Sequence, residues 1–247
     1  MTMQKDVNDM GTKLAEQYLE AAKAALEEIY SVQQETLVKA AEVIAASLID
    51  GGVLHVFGSG HSHMIAREIF NRAGQLIPVS AIVDRSEGKA ERCEGYAERL
   101  LRYYDWRPGE VVIVISNSGR NALPIEVAQK AKRDGLTVIA LTSMRHTGRV
   151  SSRHSSGKRL FELADLVVDT CTPYGDAAIE LPGTNLKAGP LSTVAGAAAI
   201  NMLMLTVMEK YLEQGQVPPI SRGINIDGTE DEIVRLRRKY MHRIRFE

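Results

Sequence analysis

Val53-Leu54-His55-Val56-Phe57-Gly58-Ser59-Gly60-His61-Ser62 and Val111-Val112-Ile113-Val114-Ile115-Ser116-Asn117-Ser118-Gly119 decide how this chain folds. Each is a short apolar run that gives way to glycine and serine and then to a helical pattern. Apolar runs of this length, bounded by such loops, read as strands buried on both faces. The helix that follows offers its first N–H groups and the positive end of its dipole to an anion. One loop of this kind is weak evidence. Two in one chain, both rich in hydroxyls, point to a site for a small phosphorylated molecule.

Working outward, the same alternation continues. A helix is expected over residues 62–74, a second strand over Ile77–Val83 with Asp84 at its end, and a helix near Tyr96–Tyr104. Between them lies a polar stretch with Arg85, Glu87, Lys89, Glu91 and Arg92. Pro108-Gly109 marks a turn before the third strand. The next helix runs from Asn121 to Asp134, with Pro124 in its first turn, where a missing N–H does no harm. Gly135 closes it, Thr137–Leu141 is the fourth strand and Leu166–Val168 a short fifth. Short strands alternating with helices imply an α/β fold: a doubly wound, flavodoxin-like parallel sheet of five strands. Ahead of it, residues 9–50 carry apolar positions at spacings of three and four, a helical extension that also suits a dimer interface. The expectation is one domain over 1–247, divided into the extension (1–50), the core (51–215) and a tail (216–247). Leu191–Tyr211 reads as a buried helix. Thr229-Glu230-Asp231-Glu232 reads as a capping box opening a last helix, whose arginines complement its C-terminal end as a solvated face.

Composition limits the function. With 45% hydrophobic and 25% charged residues, the 247-residue chain has the balance of a globular protein. A net charge of −1 offers no broad basic surface for nucleic acid. Cys93 and Cys171 are too few for a disulfide framework. Met1 to Gly11 is polar and unlike a signal peptide. The apolar run Val194–Met208 is interrupted by Gly196 and Asn201 and short for a bilayer. The expected setting is cytoplasmic, away from membranes.

In a sheet ordered 2-1-3-4-5, ligands bind where the order reverses, between strands one and three. The two Gly/Ser loops follow those strands, so they should face one crevice. There Gly60 permits close backbone approach, and Ser62, Ser116 and Ser118 offer hydroxyls. Gly119 and Asn121 sit at a helix start, where Asn121 either binds the anion or caps the helix. No Gly-Lys-Ser/Thr is present, which excludes a P-loop, and His63 stands where a dinucleotide fingerprint needs its third glycine.

At these loops the chain resembles the SIS (sugar isomerase) domain family, most closely its phosphoheptose-isomerase-like branch. Gly58-Ser59-Gly60-His61-Ser62 is similar to the family's first Gly-x-Gly-x-Ser loop. Ser80 to Asp84 resembles the segment ending in an aspartate near the sugar. Ser116 to Asn121 resembles the Ser-x-Ser-Gly-x-Ser/Thr phosphate loop, with Asn121 in place of the last hydroxyl. Gly189-Pro190-Leu191-Ser192-Thr193 opens a late helix that lines the family's pocket.

The resemblance implies a sugar phosphate as ligand, homodimers or homotetramers, and aldose–ketose isomerisation through an enediol. No cofactor and no metal are expected. Ser62, Ser116, Ser118 and Asn121 would hold the phosphate, with Gly60, Asp84, Gly119, Ser192 and Thr193 nearby. The family's base is a glutamate on the first helix. Glu68 is the candidate here, lying about one helical turn closer to the loop than in phosphoheptose isomerases; it is equally placed to pair with Arg72 at i+4. The late helix offers Ser192 and Thr193 where family members carry a histidine, so His61 and His63 are the other acid–base candidates. Asp176 and Glu180 are further carboxylates with no assigned role. The basic segment Thr142–Lys158 is either functional or a solvated excursion. A non-catalytic sensor, or a sugar-phosphate lyase or etherase, would use the same site.

Overall fold

The computed structural model describes residues 12–223 and 225–246. Five parallel strands form the sheet: β1 (Leu54–Gly58), β2 (Val79–Val83), β3 (Val111–Ile115), β4 (Thr137–Thr142) and β5 (Leu166–Asp169). Their order is β2-β1-β3-β4-β5, as expected, and every neighbouring pair is parallel. Strand alternation sends side chains to two cores. Leu54, Val56, Val111, Ile113, Ile115, Ile139 and Leu141 face one side. Phe57, Val112, Val114, Val138 and Ala140 face the other.

The first core is covered by α1 (Lys13–Val32), α2 (Gln34–Ile49), α3 (Ser62–Glu68) and the long α7 (Ser192–Glu213). The second is covered by α4 (Tyr96–Leu101) and α5 (Ala122–Arg133). With 22 residues α7 is longer than the apolar run predicted, long and apolar enough to cross a bilayer by composition alone. Its burial settles its role: Ala195, Ala199, Ile200, Leu203, Met204, Val207 and Tyr211 are packed in the first core.

Several boundaries differ from expectation. The helix predicted over 62–74 ends at Glu68, because the backbone turns into the left-handed region at Asn71 (φ 52°) and again at Gly74. The second strand begins at Val79 rather than Ile77. The residues before it pair elsewhere: Leu76 bridges Ile220, and the Ile77 N–H donates to the Pro219 carbonyl (2.8 Å). An antiparallel hairpin of β6 (Ala177–Glu180) and β7 (Lys187–Pro190) was not predicted. Its segments, AAIE and KAGP, lack the apolar alternation that marks a strand.

Thr142–Lys158 is no solvated excursion. It contains α6 (Met144–Thr147), capped by the Ser143 hydroxyl, which accepts from the His146 N–H (3.1 Å). Its remainder lies over the β3–α5 loop: Arg120 Nε donates to the Ser151 carbonyl (2.9 Å), and the Arg153 N–H to the Arg120 carbonyl (2.8 Å). The last helix, α8 (Glu230–Arg238), begins after Thr229 without the expected capping box. The Thr229 hydroxyl donates instead to the carbonyls of Gly223 (2.7 Å) and Ile226 (2.8 Å).

The tail also departs from a purely solvated face. Arg243, beyond α8, reaches a buried carboxylate at the N-terminal end of the strands. Glu110 accepts from Arg243 Nη1 (2.6 Å) and Nη2 (2.9 Å), from His55 Nε2 (3.0 Å) and from the backbone N–H groups of Val53 (2.9 Å) and Arg107 (2.8 Å). Burial pushes the Glu110 carboxyl up, but the hydrogen bonds from His55 and Arg243 prevail and bring it from 4.5 to about 2. The Glu110 contribution to stability is therefore complete above pH 4.5 and lost as pH falls toward about 2. Arg243→Ala leaves the carboxylate buried without its main partner and is expected to cost roughly 3–5 kcal/mol. Urea denaturation at neutral pH checks this, and an unchanged midpoint contradicts it.

Candidate functional site

Both Gly/Ser loops open at the C-terminal ends of β1 and β3, and they form opposite walls of one cleft of about 480 Å³. Gly60, His61 and Ser62 line one wall; Ser116, Ser118 and Asn121 line the other. Ser192 and Thr193, at the start of α7, close a third side. Eight residues singled out from the sequence thus converge from three separate stretches of chain.

Two glycines let the walls approach. A side chain at Gly58 would collide with the Ser62 carbonyl, so β1 can end directly beneath the first turn of α3 only without one. Gly60 adopts φ 55°, in the left-handed region that favours glycine. The turn then closes with the Ser62 N–H donating to the Ser59 carbonyl (3.1 Å) and the His63 N–H to the Gly60 carbonyl (3.1 Å).

Asp84 organises this wall from behind. Its carboxylate accepts from the Ser59 hydroxyl (2.8 Å) and the Gly88 N–H (3.1 Å) on one oxygen, and from the Ser86 N–H (2.9 Å) and hydroxyl (2.6 Å) on the other. Burial opposes its ionisation, yet the bonds from Ser86, Ser59 and Gly88 hold its pKa below the ordinary value. Asp84 therefore ties the 59–62 turn to the 85–91 loop. It lines a smaller recess of about 240 Å³, shared with His63, His61, Gly60 and Glu87, rather than the main cleft.

On the opposite wall, Gly119 (φ 59°) donates its N–H to the Ser116 hydroxyl (3.2 Å). It shapes the loop and does not line the cleft. Asn121 occupies the N-cap position of α5, but its side chain makes no capping bond. Its Oδ1 accepts from Arg153 Nη1 (3.0 Å), so the 143–159 segment is fastened to the site. Burial, and then the charges of Arg120 and Arg92, lower the Arg153 pKa. Arg120 and Arg153 stand behind this wall rather than lining the cleft, and the N-terminal end of α5 favours an anion there.

The remaining acid–base candidates separate. His61 lines the cleft. His63 lies in the side recess, where burial and then Arg67 lower its pKa against the opposing charge of Asp84. Glu68 lies outside the cleft and is ion-paired with Arg72.

Other groups reach the cleft that the motifs did not assign. Glu87 and Glu91 enter from the 85–91 loop, and His146 from α6. Burial, then Arg120, lower the His146 pKa against the opposing charge of Asp176; its ring lies 5.1 Å from that of Tyr174. Asp176 caps α7: Oδ1 accepts from the N–H groups of Leu191 (3.0 Å) and Ser192 (2.7 Å), and Oδ2 from the Ser192 hydroxyl (2.7 Å). Ser192 is thereby held by a carboxylate. The sequence hint was a Gly beside an acidic residue, as in Glu87-Gly88 and Gly175-Asp176. Both acidic residues adopt positive φ, 52° and 73°.

The cleft thus combines hydroxyls with carboxylates and imidazoles. That arrangement can fix a small anion and move a proton on the group attached to it.

Comparison with known proteins agrees with this architecture. The sequence profile described as SIS domain matches residues 17–143. A UPF0309 protein of Caldanaerobacter subterraneus is 42% identical over 240 residues, covering 92% of this chain and 98% of that one. A UPF0309 protein of Listeria monocytogenes is 36% identical over 227 residues, covering 92% and 97%. Among solved structures, the phosphoheptose isomerase of Neisseria gonorrhoeae superposes with a TM-score of 0.52 at 21% identity, covering 78% of this chain and 94% of that one. The NanR protein of Vibrio vulnificus, complexed with ManNAc-6P, gives 0.54 at 16% identity, covering 96% and 72%.

Gly119→Ala tests the loop geometry. An added Cβ would sit 2.9 Å from Thr147 Oγ1, on a backbone that disfavours side chains. The expected loss is about 1–2 kcal/mol from the left-handed conformation, with the steric contact added to it. A thermal melt reads it, and a variant as stable as the parent would show that the loop relaxes freely.

Proposed function

The chain belongs to the SIS domain family, and from that membership and the cleft we propose that it binds a sugar phosphate and isomerises it between aldose and ketose. The observation that carries the reading is the convergence of both Gly/Ser loops, with their hydroxyls, on one cleft at the N-terminal end of α5. The phosphate rests on Ser62, Ser116 and Ser118, at the N-terminal end of α5, with Arg120 and Arg153 behind. Asn121 is held by Arg153 and takes a supporting place. The sugar carbon chain extends toward Ser192, Thr193 and the carboxylates.

The chemistry requires a base to take the C2 proton and return it to C1 through an enediol, and an acid–base group to protonate the C1 carbonyl oxygen and take the proton from the C2 hydroxyl as the ketone forms. Of the acid–base residues read from the sequence, His61 is the one inside the cleft, and Glu87 and Glu91 stand on the same side. His61 is proposed as the proton carrier. Glu68 and His63, outside the main cleft, are its rivals. Exposed apolar residues on α1 and α7, Leu19, Tyr30, Leu205 and Leu212, fit association of copies as a homodimer or homotetramer. No cofactor enters the scheme. A non-catalytic sensor is the second reading, favoured by Ser192 and Thr193 at the start of α7, where isomerases of the family carry a histidine.

Incubation with a panel of sugar phosphates in deuterated water should give exchange at C2 for one of them. His61→Ala should abolish exchange and leave binding intact, whereas the same result from Glu68→Ala would transfer the proton to Glu68. Binding without exchange throughout the panel would favour the sensor. Ser118→Ala should weaken the phosphorylated ligand by roughly 1.5–3 kcal/mol, the scale of a hydrogen bond to a charged group. Unchanged affinity in titration calorimetry would remove Ser118 from the phosphate site.

A further inference from the structure

A second cleft lies along the free edge of the sheet. Among the described residues β2 pairs with β1 on one side only, and its Val83 N–H donates to the Tyr104 hydroxyl (2.8 Å). Two cavities of about 370 and 350 Å³ open along this edge. They share Val83, Arg85, Tyr103, Tyr104 and Arg245, so they form one continuous cleft. Its walls come from α4 with the turn after it, from α3 and from the C-terminal tail.

The lining is basic and aromatic. Arg85, Arg99 and Arg245 border the first cavity with Tyr96, Tyr103 and Tyr104. Arg67 and Arg243 border the second. Among the described residues, no carboxylate lines either cavity. Of the acidic groups nearby in sequence, Glu98 pairs with Arg133 (2.9 Å), and Asp105 and Glu110 take Arg243 (3.3 and 2.6 Å), which leaves Arg85, Arg99 and Arg245 to face a ligand. Such a gathering of arginines is uneven for a chain of net charge −1. Tyr103 is 67% exposed, so its ring is open to a ligand.

We propose that this edge cleft binds a nucleotide, its phosphate on the arginines and its base on the tyrosine rings. Guanidinium groups match phosphate oxygens in a two-pronged geometry. Tyrosine faces stack on planar bases. A simple anion would use the arginines and leave the rings without a partner. The volume lies in the range of small-molecule sites. The main cleft differs in kind, since it is lined by hydroxyls and has no Tyr, Phe or Trp.

The test is calorimetric titration of the full chain with AMP and, separately, with inorganic phosphate. Wild type should bind AMP saturably. The double variant Arg99→Glu/Arg245→Glu should weaken AMP roughly tenfold or more. Tyr103→Ala should weaken AMP and leave inorganic phosphate at this cleft unaffected. Ser118→Ala, in the main cleft, should leave AMP binding as it was. Circular dichroism confirms folding of each variant, and Arg99→Gln replaces the double variant if that fails to fold. Absence of AMP binding by wild type overturns the proposal. So does AMP binding lost in Ser118→Ala, or AMP binding unchanged in the charge-reversed variant. Binding of a single-stranded oligonucleotide but not AMP, or a variant that changes only oligomeric state, also overturns it.

Discussion

Everything in the site depends on the reversal of strand order between β1 and β3. Parallel strands joined by right-handed crossovers must place one helix on each side of the sheet at that point. α3 leaves β1 toward one face and α5 leaves β3 toward the other. The loops that begin these helices therefore diverge and leave a crevice between adjacent strands. Gly58 lets α3 start directly on the strand end, and Gly119 lets the second loop turn beneath Thr147. The anion-binding character of the cleft follows from this geometry rather than from any single serine.

Around the crevice, carboxylates do the holding. Asp84 fastens the Ser59 turn to the Gly88 loop, and Asp176 fixes the start of α7 against the hairpin. At the other end of the strands Glu110 joins β1, β3 and the C-terminal tail through Val53, His55 and Arg243. Each carboxylate is satisfied by several donors, which is the condition under which a buried charge is tolerated. The site end of the sheet and the tail end are thus fixed separately. Beside these held groups, Ser62, Ser118, His61, Glu87 and Glu91 also line the cleft.

The sheet, its order and the two loop walls were legible because short apolar runs ending in Gly and Ser, twice in one chain, have few other readings. Glu87, Glu91 and Asp176 were not, because they arrive on irregular backbone that no periodicity marks, and His146 was not, because its helix of four residues is too short to show one. Glu87 and Asp176 even require positive φ. Asp84 was found by its position after β2, though its carboxylate faces the loops it holds more than the main cleft. The tail arginines were read as a solvated face, which composition favours; only the three-dimensional path of residues 239–246 shows Arg243 turning inward to Glu110. The β6–β7 hairpin escaped for a similar reason, since tertiary pairing rather than local propensity forms it.

The central claim is that Ser62 and Ser118, from different loops, hold the same phosphate. A double-mutant cycle measures this directly: titration of the parent, Ser62→Ala, Ser118→Ala and the double variant with the sugar phosphate that binds best. The account predicts non-additive losses, with a coupling of about 0.5–3 kcal/mol between the two positions. Strictly additive losses, or no binding by any sugar phosphate, would contradict it.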